Sequence, residues 1–371
     1  MAGEALELVE FLKEKKLDDF ANIILQSLKF GGTCLVREDL SAISDPKDVS
    51  MITEFFDTYR TEENGVPVGF NFLAAQPIVA SIATKSNYFD LFWVLEKKLF
   101  IDDVKTGVTT FRDFLDKTQY TTTSIGAYEF IFGGANFISP GGWSENLRVL
   151  KRFKNLKPGQ AMLDIGVGIG GGARQAASEF GLQVTGIDLS SNMISQALLK
   201  NHRDKDTRVK FLIGDAMKYD FPANSFDAVF SRDCVQHIND LQGLLGRIMK
   251  WLKPGGQVLI TMYGRGHGPK TDLFKQYVSD RAYFLRSRDE VRQIASKVGY
   301  KEVLVEDMTY RFREILMAER ARLVEQKIDF LRKFGQREYD SLISGWSAKI
   351  EFVAADLQNW NMLIATKPLD K

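Results

Sequence analysis

A glycine-rich loop at residues 163–172 is the first feature of this sequence whose residue types indicate chemistry. The loop reads LDIGVGIGGG, with Asp164 ahead of the first glycine, while Asp188 ends the segment QVTGID 20 residues after Gly168 and Asp215 follows a later apolar segment. Glycines allow a tight turn and let the backbone approach a ligand, and a carboxylate after the second strand can accept both ribose hydroxyls. The predicted cofactor residues of this pattern are Asp164, Gly166, Gly168, Gly170, Asp188, Asp215 and Ala216.

Two classes of cofactor compete for such a loop. Nicotinamide folds use G-x-G-x-x-G with a pyrophosphate at the helix N-terminus, whereas this loop reads G-V-G-I-G and follows Asp164. An acidic residue disfavours a pyrophosphate but attracts the cationic amino-acid end of S-adenosylmethionine. Three successive carboxylates therefore favour S-adenosylmethionine, although any single one could instead cap a helix. The segment GRGHGPKT at 264–271 has Pro269 in place of the glycine that a phosphate-binding loop needs before its lysine, so we interpret it as a turn.

The glycine loop needs a strand before it and a helix after it, and the surrounding pattern predicts both. From about residue 160, the apolar segments AMLDIG, QVTGID, VKFLIGD, SFDAVFSRD and QVLITMY alternate with helical periods, one helix ending in WLKPGG. This alternation predicts a doubly wound α/β fold with a seven-stranded, mostly parallel sheet. Charged helical segments at 271–297 and 309–350 precede a strand at 358–366, so we expect helical insertions over the ligand-binding edge and an antiparallel strand at the end of the sheet.

The first hundred residues repeat part of this pattern. The matching pairs are LKFGGTCLVRE at 28–38 with LKPGGQVLITM at 252–262, and NYFDLF at 87–92 with NWNMLI at 359–364. The first copy contains no glycine loop. We therefore interpret residues 1–105 as the remnant of a second copy of the fold that cannot bind cofactor, with an unrelated cap of helices and strands as the alternative. Residues 106–142 are then a linker and lid, and 143–371 the catalytic domain.

Charge and composition argue against several classes of partner. The 371 residues include 49 lysines and arginines against 48 aspartates and glutamates, so the net charge of +1 implies no field that attracts nucleic acid or an anionic membrane. Cys34 and Cys234 are too few for a disulfide framework, and no metal site is expected. The acidic, amphipathic N-terminus has no targeting pattern, and no long apolar segment exists. We expect a cytoplasmic, monomeric protein that acts on a small molecule.

The motifs together resemble a known family. LDIGVGIGGG, GIDLSSNMI, GDA, SRDCVQHI and WLKPGG resemble class I S-adenosylmethionine-dependent methyltransferases. With QY, YEFIFG, ISPGG, YVSDRAY and GWSAK added, residues 116–371 resemble the phosphoethanolamine N-methyltransferases of nematodes, plants and malaria parasites. Plant members carry two such domains in tandem, and residues 1–105 look like the tail of the first. The resemblance implies methylation of phosphobases to phosphocholine, which feeds phosphatidylcholine synthesis.

Methyl transfer to an amine needs a neutral nitrogen, although an aliphatic amine is mostly protonated at neutral pH. His237 lies four residues after Asp233, so one helical turn would place both on one face, with the imidazole as base and the carboxylate attracting the ammonium. An unperturbed histidine pKa near 6.5 would suit that proton transfer. A histidine satisfied in the core is the alternative. In the resembling family the matching histidine pairs with a tyrosine, which implies a catalytic dyad of Tyr120 and His237.

The same resemblance makes residues 116–142 the lid, in which Gln119 and Tyr128 reach the substrate and Ile138 and Ser139 contact the cofactor. For the phosphate, Tyr277 and Arg281 are spaced to share a helical face and Tyr283 follows, and arginine matches phosphate with a fork of donors. A solvated helix face is the alternative for Arg281 alone. The resemblance adds two phosphate contacts, and the expected substrate residues are then Gln119, Tyr128, Tyr263, Tyr277, Arg281, Tyr283 and Lys349.

We expect the later methylations, on phospho-monomethylethanolamine and phospho-dimethylethanolamine, by resemblance to the divided nematode enzymes. Phosphoethanolamine itself differs by only one methyl group, which pockets discriminate modestly. A methyltransferase for another small amine or for a sterol is an alternative, but the arginine and tyrosine cluster argues against a lipid acceptor. A non-catalytic scaffold with a methyltransferase fold is the alternative from another class.

Overall fold

The structure is a computed structural model that describes residues 8–39, 45–77, 90–100, 110–134, 136–204 and 206–369. The chain forms two compact units, of which the first comprises residues 1–121 and 187–219 and the second residues 122–186 and 220–371.

The described helices are α1 (Leu8–Lys13), α2 (Leu17–Ser27), α3 (Pro46–Thr58), α4 (Phe111–Phe114), α5 (Thr122–Ile131), α6 (Gly142–Leu150), α7 (Gly171–Phe180), α8 (Ser191–Asp204), α9 (Leu241–Trp251), α10 (Asp272–Asp280), α11 (Arg288–Val298), α12 (Thr309–Glu325), α13 (Lys327–Phe334) and α14 (Gln336–Ala354). The described strands are β1 (Thr33–Asp39), β2 (Arg60–Glu63), β3 (Val66–Pro77), β4 (Asp90–Leu99), β5 (Ala161–Ile165), β6 (Gln183–Asp188), β7 (Val209–Gly214), β8 (Phe226–Arg232), β9 (Leu252–Arg265), β10 (Lys301–Asp307) and β11 (Gln358–Thr366).

The sheet of the first unit is antiparallel. Its strand order is β1-β4-β3-β7, with β2 paired to β3. Asn64 and Gly65 join β2 to β3 with φ values of 55° and 76°, and two consecutive positive φ angles are typical of the type I′ turns that close tight hairpins. Phe56 of α3 packs edge-on against Phe70 of β3 at 5.4 Å, and both rings are buried. The core of this unit therefore lies between α3 and its sheet.

The second unit contains six strands of the predicted seven-stranded, doubly wound sheet, and the seventh strand, β7, belongs to the first unit. The six strands follow the order β6-β5-β8-β9-β11-β10, in which β5, β8 and β9 are parallel and β11 runs antiparallel to both of its neighbours. Helices α12 to α14 form the predicted insertion ahead of β11. One local prediction is wrong: LKPGG does not end a helix, because α9 ends at Trp251 and β9 already begins at Leu252. Among the described residues, no helix is long and apolar enough to cross a membrane.

The core of the second unit lies on both faces of this sheet. Phe230 of β8 and Trp251 of α9 are fully buried, as are Phe312 of α12 and Trp360 of β11, whose rings lie 5.5 Å apart. In the antiparallel pair of β9 and β11, Trp360 lies opposite Tyr263. These aromatic contacts fix β11 and α12 beside the carboxyl ends of the parallel strands, where ligands of open α/β sheets bind.

Candidate active site

The glycine loop of the second unit can form only with glycine at its turns. Gly166 and Gly168 adopt φ values of 73° and 56°, in the left-handed region that residues with a side chain rarely populate. A Cβ at Gly166 would lie 2.3 Å from the Cβ of Cys234, and one at Gly168 would lie 2.8 Å from Cδ1 of Ile138. The loop thus lies directly against Ile138, and two predicted cofactor residues, 30 positions apart in sequence, are brought together. The open backbone fits the close approach that a nucleotide cofactor needs.

Asp164 is buried in β5, and its carboxylate faces the start of α7, where a Cβ at Gly172 would lie 3.6 Å from Oδ2. A buried carboxylate beside the first turn of a helix is attracted by the unpaired N–H groups there. Asp164 could therefore both cap the start of α7 and bind the cofactor, so the structure is compatible with either predicted role.

Two buried side chains that sequence reasoning missed anchor the turn after Ile138 and Ser139. Arg232 donates through Nη2 to the carbonyl oxygen of Pro140, and Glu319 accepts the N–H of Gly141 at 2.7 Å and the Nε1 proton of Trp346 at 2.9 Å. Burial raises the pKa of Glu319 to about 7, an effect that these two hydrogen bonds oppose. No local sequence pattern marks Arg232 or Glu319, because their partners are distant in the chain.

The sequence predicted that Asp233 and His237 lie on one helical turn, and the structure shows that they do not. Asp233 has a left-handed φ of 53° after β8, and only a short 3₁₀ turn at Val235–His237 follows. The carboxylate points inward, where Oδ1 accepts hydrogen bonds from Thr261 Oγ1 at 3.0 Å and Trp360 Nε1 at 2.6 Å. Burial raises the pKa of Asp233. The tertiary hydrogen bonds therefore override the helical pattern that the four-residue spacing suggests.

His237 is a neutral imidazole in this environment. Burial lowers its pKa to about 4, hydrogen bonds with the backbone of Ala282 and Arg281 oppose that shift, and the charge of Arg281 adds to it. Its ring meets the ring of Tyr283 edge-on at 5.0 Å. The pKa of this partly buried side chain therefore lies below the expected value near 6.5, and His237 carries no charge at neutral pH.

The predicted phosphate-binding side chains of the second unit lie in one connected cluster. Arg281, which caps α10 one turn after Tyr277, donates from Nη1 to the Tyr128 hydroxyl at 3.2 Å. The ring of Tyr283 packs edge-on against those of Tyr277 and Tyr263, each at 5.7 Å. Burial raises the pKa of Tyr283 to about 12 and that of Tyr277 above its usual value. The tyrosines are therefore hydrogen-bond donors rather than phenolates.

Lys349 of α14 supplies a second basic group to this cluster. Its Nζ lies 4.5 Å from the ring centroid of Trp346 and 5.8 Å from that of Tyr263. Burial, together with the smaller effect of the positive charge of Arg281, lowers the pKa of Lys349 to about 7, and Glu319 and Asp233 oppose this shift. Two cationic side chains near each other, with aromatic hydroxyls around them, match the charge and the acceptor oxygens of a phosphate monoester.

The remaining predicted site residues belong to the first unit. Asp188 accepts the N–H of Ser190 at 2.9 Å, and Asp215 accepts the N–H of Met217 at 2.9 Å. Each carboxylate thus stabilises the turn after its own strand through one oxygen. These are turn hydrogen bonds rather than the helix caps that the sequence left open, since α8 begins only at Ser191 and the next described element after Asp215 is β8. Contact with a ribose stays a prediction for both residues.

A hydrogen-bonded clasp, formed by Asp116 and Asn192, holds the segment that carries Gln119 and Tyr120. A π-helical turn at Leu115–Gln119 follows α4 and places Asp116 at the start of α8, where its carboxylate accepts the N–H of Ser191 at 3.1 Å and the hydroxyl of Ser190. Asn192 donates to the carbonyl oxygens of Asp116 at 3.1 Å and Tyr120 at 2.8 Å. These hydrogen bonds connect the segment of the predicted residues Gln119 and Tyr120 to the loop that follows Asp188. Tyr120 and His237 belong to different units, and their pairing stays a prediction.

Comparisons with known proteins agree with this architecture. Residues 4–101 match the family model described as phosphoethanolamine N-methyltransferase 2 N-terminal, and residues 163–260 match the methyltransferase domain model. The chain is 52% identical over 356 residues to phosphoethanolamine N-methyltransferase 2 of Caenorhabditis elegans, covering 96% of this chain and 81% of that protein.

Solved structures show the same relationship. The Haemonchus contortus phosphoethanolamine N-methyltransferase 2, in complex with phosphomonomethylethanolamine and S-adenosylhomocysteine, matches with a TM-score of 0.92 and 52% identity over 97% of this chain and 83% of that chain. Another structure of that protein, in complex with S-adenosyl-L-methionine, matches with a TM-score of 0.92 and 52% identity over 97% of this chain and 82% of that one. On its sheet, its glycine loop and its identity to these proteins, the chain belongs to the phosphoethanolamine N-methyltransferases.

Proposed function

We propose that this enzyme transfers methyl groups from S-adenosylmethionine to phospho-monomethylethanolamine and phospho-dimethylethanolamine, giving phosphocholine and S-adenosylhomocysteine. The cofactor supplies an electrophilic methyl group bound to a sulfonium. In each step the sulfur–carbon bond breaks as the nitrogen–carbon bond forms, and the amine proton leaves to solvent. The observation that carries the proposal is the cluster of Arg281, Lys349 and tyrosine hydroxyls around one buried site.

The cluster supports a phosphorylated substrate rather than a free amine. Arg281 presents a fork of donors and already contacts Tyr128, while Lys349 is buried with a pKa of about 7. Two basic groups placed close together repel each other unless an anion binds between them. A phosphate dianion would relieve this repulsion and accept the tyrosine hydroxyl protons. An unphosphorylated amine would bring a further positive charge and would be disfavoured.

The amine end supports catalysis by positioning. With a pKa of about 4, His237 cannot hold the proton of an aliphatic ammonium, whose pKa is about 10. We therefore assign the neutral imidazole the task of orienting the neutral amine, together with Tyr120, in line with the methyl group. Asp233 follows β8, the strand that pairs with β5 ahead of the glycine loop, and contributes a buried carboxylate near the developing cation.

The experiment that tests the proposal is methyl transfer from labelled S-adenosylmethionine to phosphoethanolamine and to its monomethyl and dimethyl forms, each measured separately, with ethanolamine as the control. Activity on the methylated phosphobases alone would identify an enzyme of the later steps. Activity on all three would extend the proposal to the whole pathway, and no activity on any phosphobase would refute it.

We also propose that residues 1–105 are the remnant of a second methyltransferase domain. Support comes from the strand order β1-β4-β3, antiparallel throughout, which repeats the order β9-β11-β10 at the end of the catalytic sheet. The described part of this region has no glycine loop between a strand and a helix. Cys34 and Cys234 form no disulfide, which is in keeping with a reducing compartment, and we propose a monomer in the cytoplasm.

A further inference from the structure

We propose that Arg112 positions the Asp188 carboxylate for S-adenosylmethionine, and that it does so by linking the N-terminal region to the loop that follows β6. This inference rests on the proposed function and assigns a role to a residue that none of the sequence motifs marks. Arg112 is the second residue of α4, and only 6% of its surface is exposed. Its guanidinium is therefore withdrawn from solvent and must be matched by polar groups of the protein.

One end of the Arg112 guanidinium bonds to the loop after β6. Nε donates to the carbonyl oxygen of Leu189 at 3.0 Å, and the N–H of the same peptide group, that of Ser190, donates to Oδ1 of Asp188 at 2.9 Å. Because a peptide group is planar, a bond that fixes its carbonyl oxygen also fixes the direction of its N–H. The two hydrogen bonds polarise the peptide group in the same direction, so each strengthens the other. Arg112 thus sets the orientation of the Asp188 carboxylate through one intervening peptide group.

The other end of the guanidinium is held by the N-terminal region. Nη1 lies 3.2 Å from Oδ2 of Asp57 in α3, and the same carboxylate oxygen accepts the hydroxyl proton of Thr110 at 3.0 Å. The guanidinium carbon lies 4.2 Å from the ring centroid of Phe72 in β3. A carboxylate at one end and an aromatic face against the plane restrict the position of a guanidinium. The N-terminal region therefore determines where Nε of Arg112 points.

Two further contacts join the N-terminal region to the same edge of the sheet. Ser50 of α3 donates to Oδ1 of Asn192 at 2.6 Å, at the start of α8. Ala74 of β3 lies opposite Gly214, the residue before Asp215. The N-terminal region thus contacts the chain at the ends of β6 and β7, each of which carries a carboxylate that is predicted to hold the cofactor. It takes part in cofactor binding although its described part contains no glycine loop of its own.

Binding of S-adenosylhomocysteine to the full chain, measured by calorimetry, tests this assignment without a methylation reaction. Arg112→Met removes the charge and the donors but keeps most of the apolar length of the side chain. It should raise Kd about tenfold, because a hydrogen bond from a charged group no longer fixes the loop. Arg112→Lys keeps a charge beside Asp57 but replaces the fork of donors with a single ammonium, so it should recover only part of the affinity.

A double substitution shows whether the effect passes through Asp188. Asp188→Asn alone should weaken binding, and Arg112→Met should add little in that background, because both substitutions disturb the same contact. Additive losses would overturn the assignment. Asp57→Asn leaves Arg112 in place and preserves the shape of the side chain. It should raise Kd about threefold, and it provides the test from the N-terminal region should Arg112→Met fold poorly.

The matched control is Lys97→Met, which removes another buried cation of the N-terminal region. Nζ of Lys97 in β4 donates to the carbonyl oxygen of Leu25 at 2.8 Å and pairs with Glu63 at 2.6 Å. These partners lie far in sequence from the loop after β6, so Lys97→Met should lower the melting temperature and leave Kd unchanged. An equal rise in Kd in Lys97→Met would refute the positioning role, because the loss of affinity would then reflect general destabilisation.

The outcome for Arg112 can be separated from the outcome for the proposed function. An enzyme that binds S-adenosylhomocysteine but methylates no phosphobase would refute the proposed function, and the effect of Arg112→Met on Kd would still decide the role of Arg112. An unchanged Kd in Arg112→Met, in an enzyme that does methylate phosphobases, would refute the role of Arg112 alone.

Discussion

Lys349 gives the proposed substrate site a pH dependence that follows from its surroundings. Burial and the nearby Arg281 hold the pKa of Lys349 at about 7 instead of its usual 10.5. A phosphate dianion interacts with the charged lysine, so binding should raise this pKa and take up a proton. Substrate affinity should therefore be fully present while Lys349 is protonated in the free enzyme, and it should fall as the pH rises above about 7.

The Lys349 pKa of about 7 determines how much KM should change with pH. Half of the lysine is charged at pH 7, and roughly 1% at pH 9, so KM should rise about fifty-fold between these values if the pKa in the complex lies well above 9. His237, with a pKa of about 4, and Tyr283, with a pKa of about 12, do not titrate in this window. Glu319, with a pKa of about 7, does, and its negative charge helps to keep Lys349 protonated. In Glu319→Gln, the rise in KM should begin at a lower pH.

The assay is KM for phospho-monomethylethanolamine at several pH values between 7 and 9, with kcat followed separately. The phosphate, whose second pKa is about 6, and the amine, whose pKa is about 10, keep their charges over most of this range. Lys349→Arg is the matched control, because arginine stays charged and should give a KM nearly independent of pH. A flat profile in the wild-type enzyme, or the same slope in Lys349→Arg, would refute the reasoning.

Three further substitutions test the site. Gly168→Ala should weaken S-adenosylmethionine binding about tenfold by calorimetry, because the left-handed φ of Gly168 and the neighbouring Ile138 side chain leave no room for a methyl group. Gly134→Ala, at a similar φ with open space around it, should not weaken binding, and equal losses in the two variants would place the effect outside the cofactor loop. Arg281→Ala should reduce kcat/KM for phosphobases by about a hundredfold, because it removes a partly buried, charged hydrogen-bond donor, whereas Lys275→Ala on the exposed part of the same helix should have little effect. A comparable loss on unphosphorylated ethanolamine would favour another amine as substrate. His237→Ala should lower kcat by about a hundredfold with the affinity for S-adenosylmethionine retained, and unchanged turnover would remove His237 from the dyad.

Sequence reasoning predicted the parts of the site that obey local rules. The glycine loop could be recognised because left-handed turns between a strand and a helix require glycine at particular positions. The shared helical face of Tyr277 and Arg281 could be predicted because α10 keeps its helical geometry up to Arg281, its C-cap. The antiparallel strand β11 followed from the apolar segment after the helical insertion.

The parts that sequence reasoning missed depend on contacts between distant residues. Glu319 lies 178 positions from Gly141, and Arg232 lies 92 positions from Pro140, so no spacing rule could connect them. Asp233 departs from the helical pattern because Thr261 and Trp360, from two other strands, hold its carboxylate. The low pKa of His237 also depends on distant contacts, because its burial is set by tertiary packing and not by the residues next to it in the sequence.

The pairing of β3 with β7 has a consequence for the solubility of the chain. Ala74 lies opposite Gly214 and Ala75 opposite Ile213, so the N-terminal region covers part of the edge of β7. An uncovered strand edge presents free N–H and C=O groups that can pair with the edge of another molecule. A protein shortened to residues 106–371 would keep most of the predicted site residues, yet it would expose that edge and self-associate. We therefore expect the pairing of β3 with β7 to limit association of the protein through this strand edge.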